Sequence, residues 1–261
     1  DAAAPPWRRL PWRRFRVRRY EDTSVRVYKT VPFQPPASWR GDINYSARTK
    51  AANFDALPAL DGGYCGVLLI KPDDELTQGL PDVGAARAYF DELLPQFSPH
   101  ITDEALQAVL DKPPSRLPLF RFAGPRLHRG ATTALLGDAI HSVKPYFGLG
   151  VNAAFEDAAV LDQELGRRAS LGAALQAYSA RRAPEARVLV SLSRSFDRGG
   201  ALALATFVLP LILDGIFHGA APWLFAPNTL AMLQKPDLTF AHIRWRKRAD
   251  RALQLALLAT R

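Results

Sequence analysis

The sequence has almost no cysteine. Its one residue of that type, Cys65, excludes an internal disulfide framework. That scarcity is compatible with an intracellular location, an organelle or a membrane surface included. As a free thiol, Cys65 is expected to be a small hydrophobe of the core. Clusters of Cys and His are missing too, so no metal site is expected. No apolar run reaches the roughly 20 residues that span a bilayer. The longest, 201–213 within "ALALATFVLPLILDGIFHGAAPWLFA", carries Pro210 and ends at Asp214, a residue costly in lipid. The first stretch lacks the apolar centre of a signal peptide and the serines of a transit peptide. There is no internal repeat.

What is present begins with a core. Hydrophobic residues make up 48% of the 261 and charged residues 23%, which excludes a disordered tail. The net charge of +9 is uneven. "PPWRRLPWRRFRVRRY" carries seven of the arginines, Arg8 to Arg19, and "HIRWRKRADR" runs from His242 to Arg251. Arginine interleaved with tryptophan can follow phosphates and stack on bases. No nucleic-acid motif accompanies either cluster, so both read as solvated faces and no nucleic-acid partner is expected.

Along the chain, "TSVRVYKTVPF" sets Val25 and Val27 against Arg26 and Tyr28, the period of a half-buried strand. "FQPPASWRGDINYS" reads as loop, and "GGYCGVLLI" as a turn feeding a buried strand. "VGAARAYFDELLPQF" places Val83, Ala86, Phe90, Leu93, Leu94 and Phe97 on one helical face. "ITDEALQAVLDK" is a second helix, stopped by Pro113 and Pro114. "RLPLFRF" and "TTALLG" read as further strands. This order predicts an α+β fold with a largely antiparallel sheet. The expected parts are a basic arm (1–22), a sheet with inserted helices (23–127), a ligand-binding stretch with its helices (128–200) and an apolar, then basic, helical end (201–261). In that last part 201–226 has two readings, a buried helical hairpin or a membrane-associated segment. Trp223 and the basic cluster behind it are of the kind that anchors at an interface.

The most specific stretch is "LLGDAIHSVKPYFGLGVNAAFEDAAVLDQEL", 135–165. Asp138 is expected just past the end of a buried strand, where α/β folds place ligand contacts, with a carboxylate able to accept hydrogen bonds from a polyol. Pro145 fixes the backbone and has no N–H. Gly148 and Gly150 allow positive φ and close approach of a flat or anionic ligand. A helix opening near Asn152 would aim its free N–H groups at that ligand. The match of 148–153 to the G-x-G-x-x-G/A fingerprint is rejected, because polar "HSVKPYF" stands where a strand is required.

The same residues resemble the second FAD-binding motif of the class A FAD-dependent aromatic hydroxylases. The match is Gly137-Asp138-Ala139-Ile140-His141, Pro145, Gly148-Leu149-Gly150-Val151-Asn152 and Glu156-Asp157. Tyr146-Phe147 and "NAAFEDAAVLDQEL" are most similar to the kynurenine 3-monooxygenase branch. "VYKTVP" (27–32), "YFDELLPQF" (89–97) and "FAHIRW" (240–245) extend the likeness over about 25–250. The resemblance implies FAD as cofactor and NADPH or NADH as reductant. It implies that Asp138 binds the ribityl hydroxyls and that Gly137 belongs to the same turn. Gly148, Gly150, Val151 and Asn152 would present backbone to the flavin. Pro145 would face the ring near the oxygen-reacting carbon, and His141 would be structural. The implied reaction is hydroxylation of a small aromatic substrate with O2 through a flavin hydroperoxide. The family's first FAD element, a strand with a G-x-G-x-x-G turn, is absent. The chain is therefore expected to be the C-terminal part of such an enzyme, with a non-catalytic remnant or membrane-associated scaffold as the alternative. For substrate contacts the resemblance points to Tyr146 and to Phe196. The kynurenine branch has an Asn at the position of Phe196 and a Tyr near Lys235, which argues against kynurenine itself.

Overall fold

The computed structural model describes residues 15–21, 25–145, 148–197, 200–235 and 237–259. The chain forms two compact units. One is Val25–Leu117; the other joins the segment through Ser24, which holds strand β1 (Arg16–Arg19), to everything from Pro118 onward.

The first unit is a sheet backed by helices. Its strands are β2 (Val27–Phe33), β3 (Tyr45–Arg48), β4 (Asn53–Pro58) and β5 (Tyr64–Ile70). Two short helices-to-core connections follow, α1 (Glu75–Gln78) and α2 (Val83–Leu93), then α3 (Asp103–Asp111) and the two-residue β6 (Ser115–Arg116). The order across the sheet is β3-β4-β5-β2-β6, and every pairing in it is antiparallel. The period of two in β2 buries Val27, Val31 and Phe33 on one side. Phe90, Leu94, Phe97 and Leu106 pack with them, so the expected apolar face of α2 is the one that meets the core. Phe97 does so from beyond the end of the helix. Asp82 and Thr102 cap α2 and α3 by accepting from Ala85 N and Ala105 N. The segment 33–46, expected to be loop throughout, contributes the first residues of β3, and β4 was not foreseen. Both pair beside β5, where cross-strand hydrogen bonding rather than local propensity selects them.

The second unit holds β1, β7 (Arg121–Gly124), β8 (His128–Arg129), β9 (Thr133–Ala134) and β10 (His141–Ser142). β7 lies between β1 and β10, again antiparallel, and β8 pairs with β9. The expected division at 127–128 therefore moves to 117–118, because β7 hydrogen-bonds to β1 and β10. The end of the basic arm is strand rather than free chain for the same reason. "TTALLG" is strand over two residues only.

Helices α4 (Leu149–Arg167) and α5 (Leu171–Phe196) pack on each other around Phe122, Ile140, Val160, Tyr178 and Leu189. A short α6 (Gly200–Ala203), a π turn (Leu204–Val208), α7 (Leu209–Ala220), α8 (Thr229–Leu233) and α9 (Phe240–Ala259) complete the unit. A buried apolar hairpin over 201–226 is not what forms. The buried residue of α7 is Asp214, held by Lys247, Arg251 and Gln254 of α9, while Leu209, Ile212 and Ile216 are exposed. Among the described residues no helix is long and apolar enough to cross a membrane.

Candidate functional site

Asp138 stands in a single 3-10 turn, Gly137–Ala139, and not at the end of a long strand. Gly137 has φ +58°, which a residue with a Cβ rarely adopts, and this bends the chain so that the Asp138 side chain faces outward. Below the turn lies Asp157 of α4, fully buried. Its Oδ2 accepts from Gly137 N at 2.8 Å and from His141 Nε2 at 2.8 Å; its Oδ1 accepts from Arg182 Nε of α5 at 2.6 Å. Burial alone would raise the Asp157 carboxyl, but the hydrogen bonds from His141, Gly137 and Arg182 outweigh it and hold it below the ordinary carboxylate value. Arg182 also pairs with Glu156 at 2.8 Å. One buried carboxylate thus ties the turn, the following strand and two helices together.

The next residues are held in the same way. Lys144 is buried, with Nζ 2.8 and 2.9 Å from the two oxygens of Asp197 at the end of α5 and 5.4 Å over the Phe120 ring. Pro145 beside it is exposed. Tyr146 lies outside the described residues, as does Phe147. Gly148 then takes φ +64° as N-cap of α4 and offers no side chain to its first N–H groups. The helix opens at Leu149, three residues before the expected start at Asn152. The Asn152 amide instead donates back to Gly148 O at 3.1 Å. Positive φ occurs at Gly148 and not at Gly150, whose role is packing: a Cβ there would meet Val143 Cγ2 at 3.2 Å.

The structure therefore brings Asp138, Pro145, Gly148, Val151 and Asn152 to the exposed side of one anchored turn-and-helix start, with Gly137 buried and Gly150 half-buried. Such a surface offers one carboxylate acceptor, a proline without a donor, and the positive end of a 19-residue helix. These are the groups that a ribityl chain and the carbonyl edge of a flavin need, so the residues present fit FAD. Phe196 is separate from this row. It ends α5, packs edge-on to Phe207 with ring centroids 5.1 Å apart, and lines a cavity near α9.

Asp157 and Arg182 were given no role from sequence. The signal was legible in the helix period, since Leu149, Ala153, Asp157, Val160 and Glu164 form the buried stripe of α4, and Tyr178 and Arg182 lie on that of α5. Opposite charges on two buried stripes imply a pair.

A family model described as "FAD binding domain" matches residues 87–193. A kynurenine 3-monooxygenase of Phaeosphaeria nodorum is 29% identical over 223 residues, covering 82% of this chain and 45% of that protein. One from Salinispora arenicola is 33% identical over 139 residues, covering 53% of this chain and 30% of that protein. The chain spans less than half the length of these curated relatives. Among solved structures, a variant of 2-methyl-3-hydroxypyridine-5-carboxylic acid oxygenase is similar in fold, with TM-score 0.55, 20% identity, and coverage of 73% of this chain and 53% of that one. The tetrameric form of the same oxygenase gives a TM-score of 0.53 at 19% identity, with the same coverages.

Proposed function

We propose that the chain is part of an FAD-dependent aromatic hydroxylase and that it holds the ribityl and ring portion of FAD for hydroxylation of a small aromatic substrate, a reading supported by the match to an FAD binding domain over 87–193 and by the kynurenine 3-monooxygenase relatives. The observation that carries this reading is the exposed Asp138 beside the uncapped start of α4, both fastened by buried Asp157. The Asp138 carboxylate accepts from ribityl hydroxyls. The N–H groups of Leu149, Gly150 and Val151, left without a side-chain cap, face the pyrimidine edge. Pro145, held by the adjoining Lys144–Asp197 pair, lies against the ring without a competing donor. When bound and reduced by NADPH or NADH, FAD supplies the activation of O2 that places one oxygen on the substrate ring. Phe196 in place of an amide removes a polar substrate contact. A site that has lost such a partner favours an aromatic substrate less polar there than kynurenine.

An FAD titration of the purified chain, followed by flavin fluorescence and absorbance, tests the reading. Saturable binding weakened at least tenfold by Asp138→Ala is the expected result. Unaltered binding in that variant would overturn the assignment of Asp138. No binding at all would favour the alternative, a non-catalytic remnant or scaffold of the same fold.

A second reading concerns 201–226, which we propose rests on a membrane surface from the intracellular side. In its favour, Leu204, Leu209, Ile212 and Ile216 are each exposed, and Trp223 is 84% exposed.

A further inference from the structure

A cavity of about 390 Å³ opens between the C-terminal half of α5, the segment 206–214 and α9, and it shares no residue with 137–152. Its volume is that of a small-molecule site. One wall is apolar, formed by Leu192, Phe196, Phe207, Leu211 and Ile243. α9 adds a row of cations to the same lining: Arg244, Lys247, Arg248 and Arg251. Their spacing of three and four residues puts all four on one face of the helix.

That row is only partly neutralised from within the protein, by Asp214, which also lines the cavity, and by Asp250. Lys247 lies 3.2 Å from Asp214 and 3.0 Å from Asp250, Arg251 lies 3.4 Å from Asp214, and Arg246 lies 3.3 Å from Asp250. Two carboxylates therefore serve three cations. Among the described residues, no carboxylate stands within ion-pair distance of Arg244 or Arg248, although both line the same cavity. The Arg244 guanidinium is held below its ordinary value first by burial and then by repulsion from Arg248 and Arg187, with Glu185 opposing. Arg251 Nη1 is buried and has no hydrogen-bond partner. A buried donor without an acceptor is costly and marks a place where an external acceptor would bind.

We propose that this cavity binds an amphipathic organic anion, its apolar body against the Phe196–Phe207–Leu211 wall and its single carboxylate on the Arg244–Arg248–Arg251 row. The shared chemistry is one carboxylate on an apolar body, carried either by an acyl chain or by an aromatic ring. Charge complementarity sets the sign, and wall composition excludes a small hydrophilic anion such as inorganic phosphate. The cation row does not rest on the flavin reading, because none of its residues belongs to the 137–152 segment, whereas the wall includes Phe196, the residue that the proposed function sets at the substrate.

Calorimetric titration of the full chain with octanoate and with 4-phenylbutyrate, each beside its neutral alcohol, tests it. Saturable binding of at least one carboxylate is expected, at least tenfold tighter than its alcohol and weakened at least tenfold in R244Q/R248Q. Both arginines are exposed at the rim, so circular dichroism should show this variant folded. Ser191→Trp, at the exposed edge of the cavity, should block the carboxylate while leaving FAD binding unchanged. Tighter binding of octanoate supports an acyl ligand and of phenylbutyrate an aromatic one. Absence of saturable binding by both, or equal affinity in R244Q/R248Q, would overturn the proposal whatever the FAD titration gives.

Discussion

Asp157 shows how one buried carboxylate can shape an exposed turn, through its bonds to Gly137, His141 and Arg182. It is buried and paired, so removing its charge leaves buried Arg182 with only the half-exposed Glu156 as counter-ion. Asp157→Asn should therefore destabilise the chain by about 3–5 kcal/mol, read as a lowered urea midpoint at unchanged slope. Its folded-state pKa lies below the ordinary value of 3.8. The stabilisation is accordingly complete above that value and is lost as pH falls through the lower, folded-state one. Stability measured from pH 5 downward should drop less steeply in Asp157→Asn than in the unchanged chain; parallel curves would sink this account. Asp138, exposed in the turn above, should by contrast be replaceable with a stability change within about 0.5 kcal/mol. Asp157 thus anchors the turn, while binding by Asp138 belongs to the proposed function. Both were present in the recognised stretch, but only burial distinguishes their roles.

At the scale of elements, β2 and α3 are joined by a residue that pattern reading would leave in solvent. Lys29 stands on the inward row of β2, and its Nζ donates to Val109 O at 2.6 Å and Lys112 O at 2.7 Å. These are carbonyls at the C-terminal end of α3, which have no partner within the helix. A cation at that end also complements the helix dipole. Burial pulls the Lys29 amine below its ordinary pKa, yet the two carbonyls keep it satisfied. Lys29→Met, which keeps the apolar stem, should cost about 1–3 kcal/mol by leaving those carbonyls unpaired. A denaturation midpoint equal to that of the unchanged chain would show that they are satisfied by water instead. Helix α4 makes the same point about ends. Its start was expected at Asn152 because Asn is a strong N-cap, whereas a left-handed Gly148 turns the chain earlier and draws Asn152 into the first turns.

For the whole molecule, the C-terminal helices invert the usual arrangement. α7 keeps Asp214 inside against α9 and its isoleucines outside. Polar pairing with Lys247 and Arg251 orients the helix more strongly than apolar burial can, since an unpaired buried carboxylate is the more expensive outcome. If the exposed face rests on lipid, the chain should co-sediment with vesicles containing phosphatidylserine, and Ile212→Glu/Ile216→Glu should abolish this without unfolding the protein. Sedimentation unaffected by that pair of changes would end the membrane reading.

The residue pattern by itself determined the α+β class, the main helices, the inward faces of β2 and α2, and the Gly-Asp, Pro and Gly-x-Gly pattern at 137–152, whose flavin character is what its resemblance to a family implies. Each of these rests on local spacing: period two, period 3.6, or glycine and proline at fixed offsets. Tertiary structure alone decided the unit boundary at 117–118, the strands β3 and β4, the outward apolar face of α7, and the partners of Asp157, Lys29 and Asp214. Those features depend on which distant groups meet in the interior. A buried charge is stable only beside its partner, and no local spacing specifies where that partner lies.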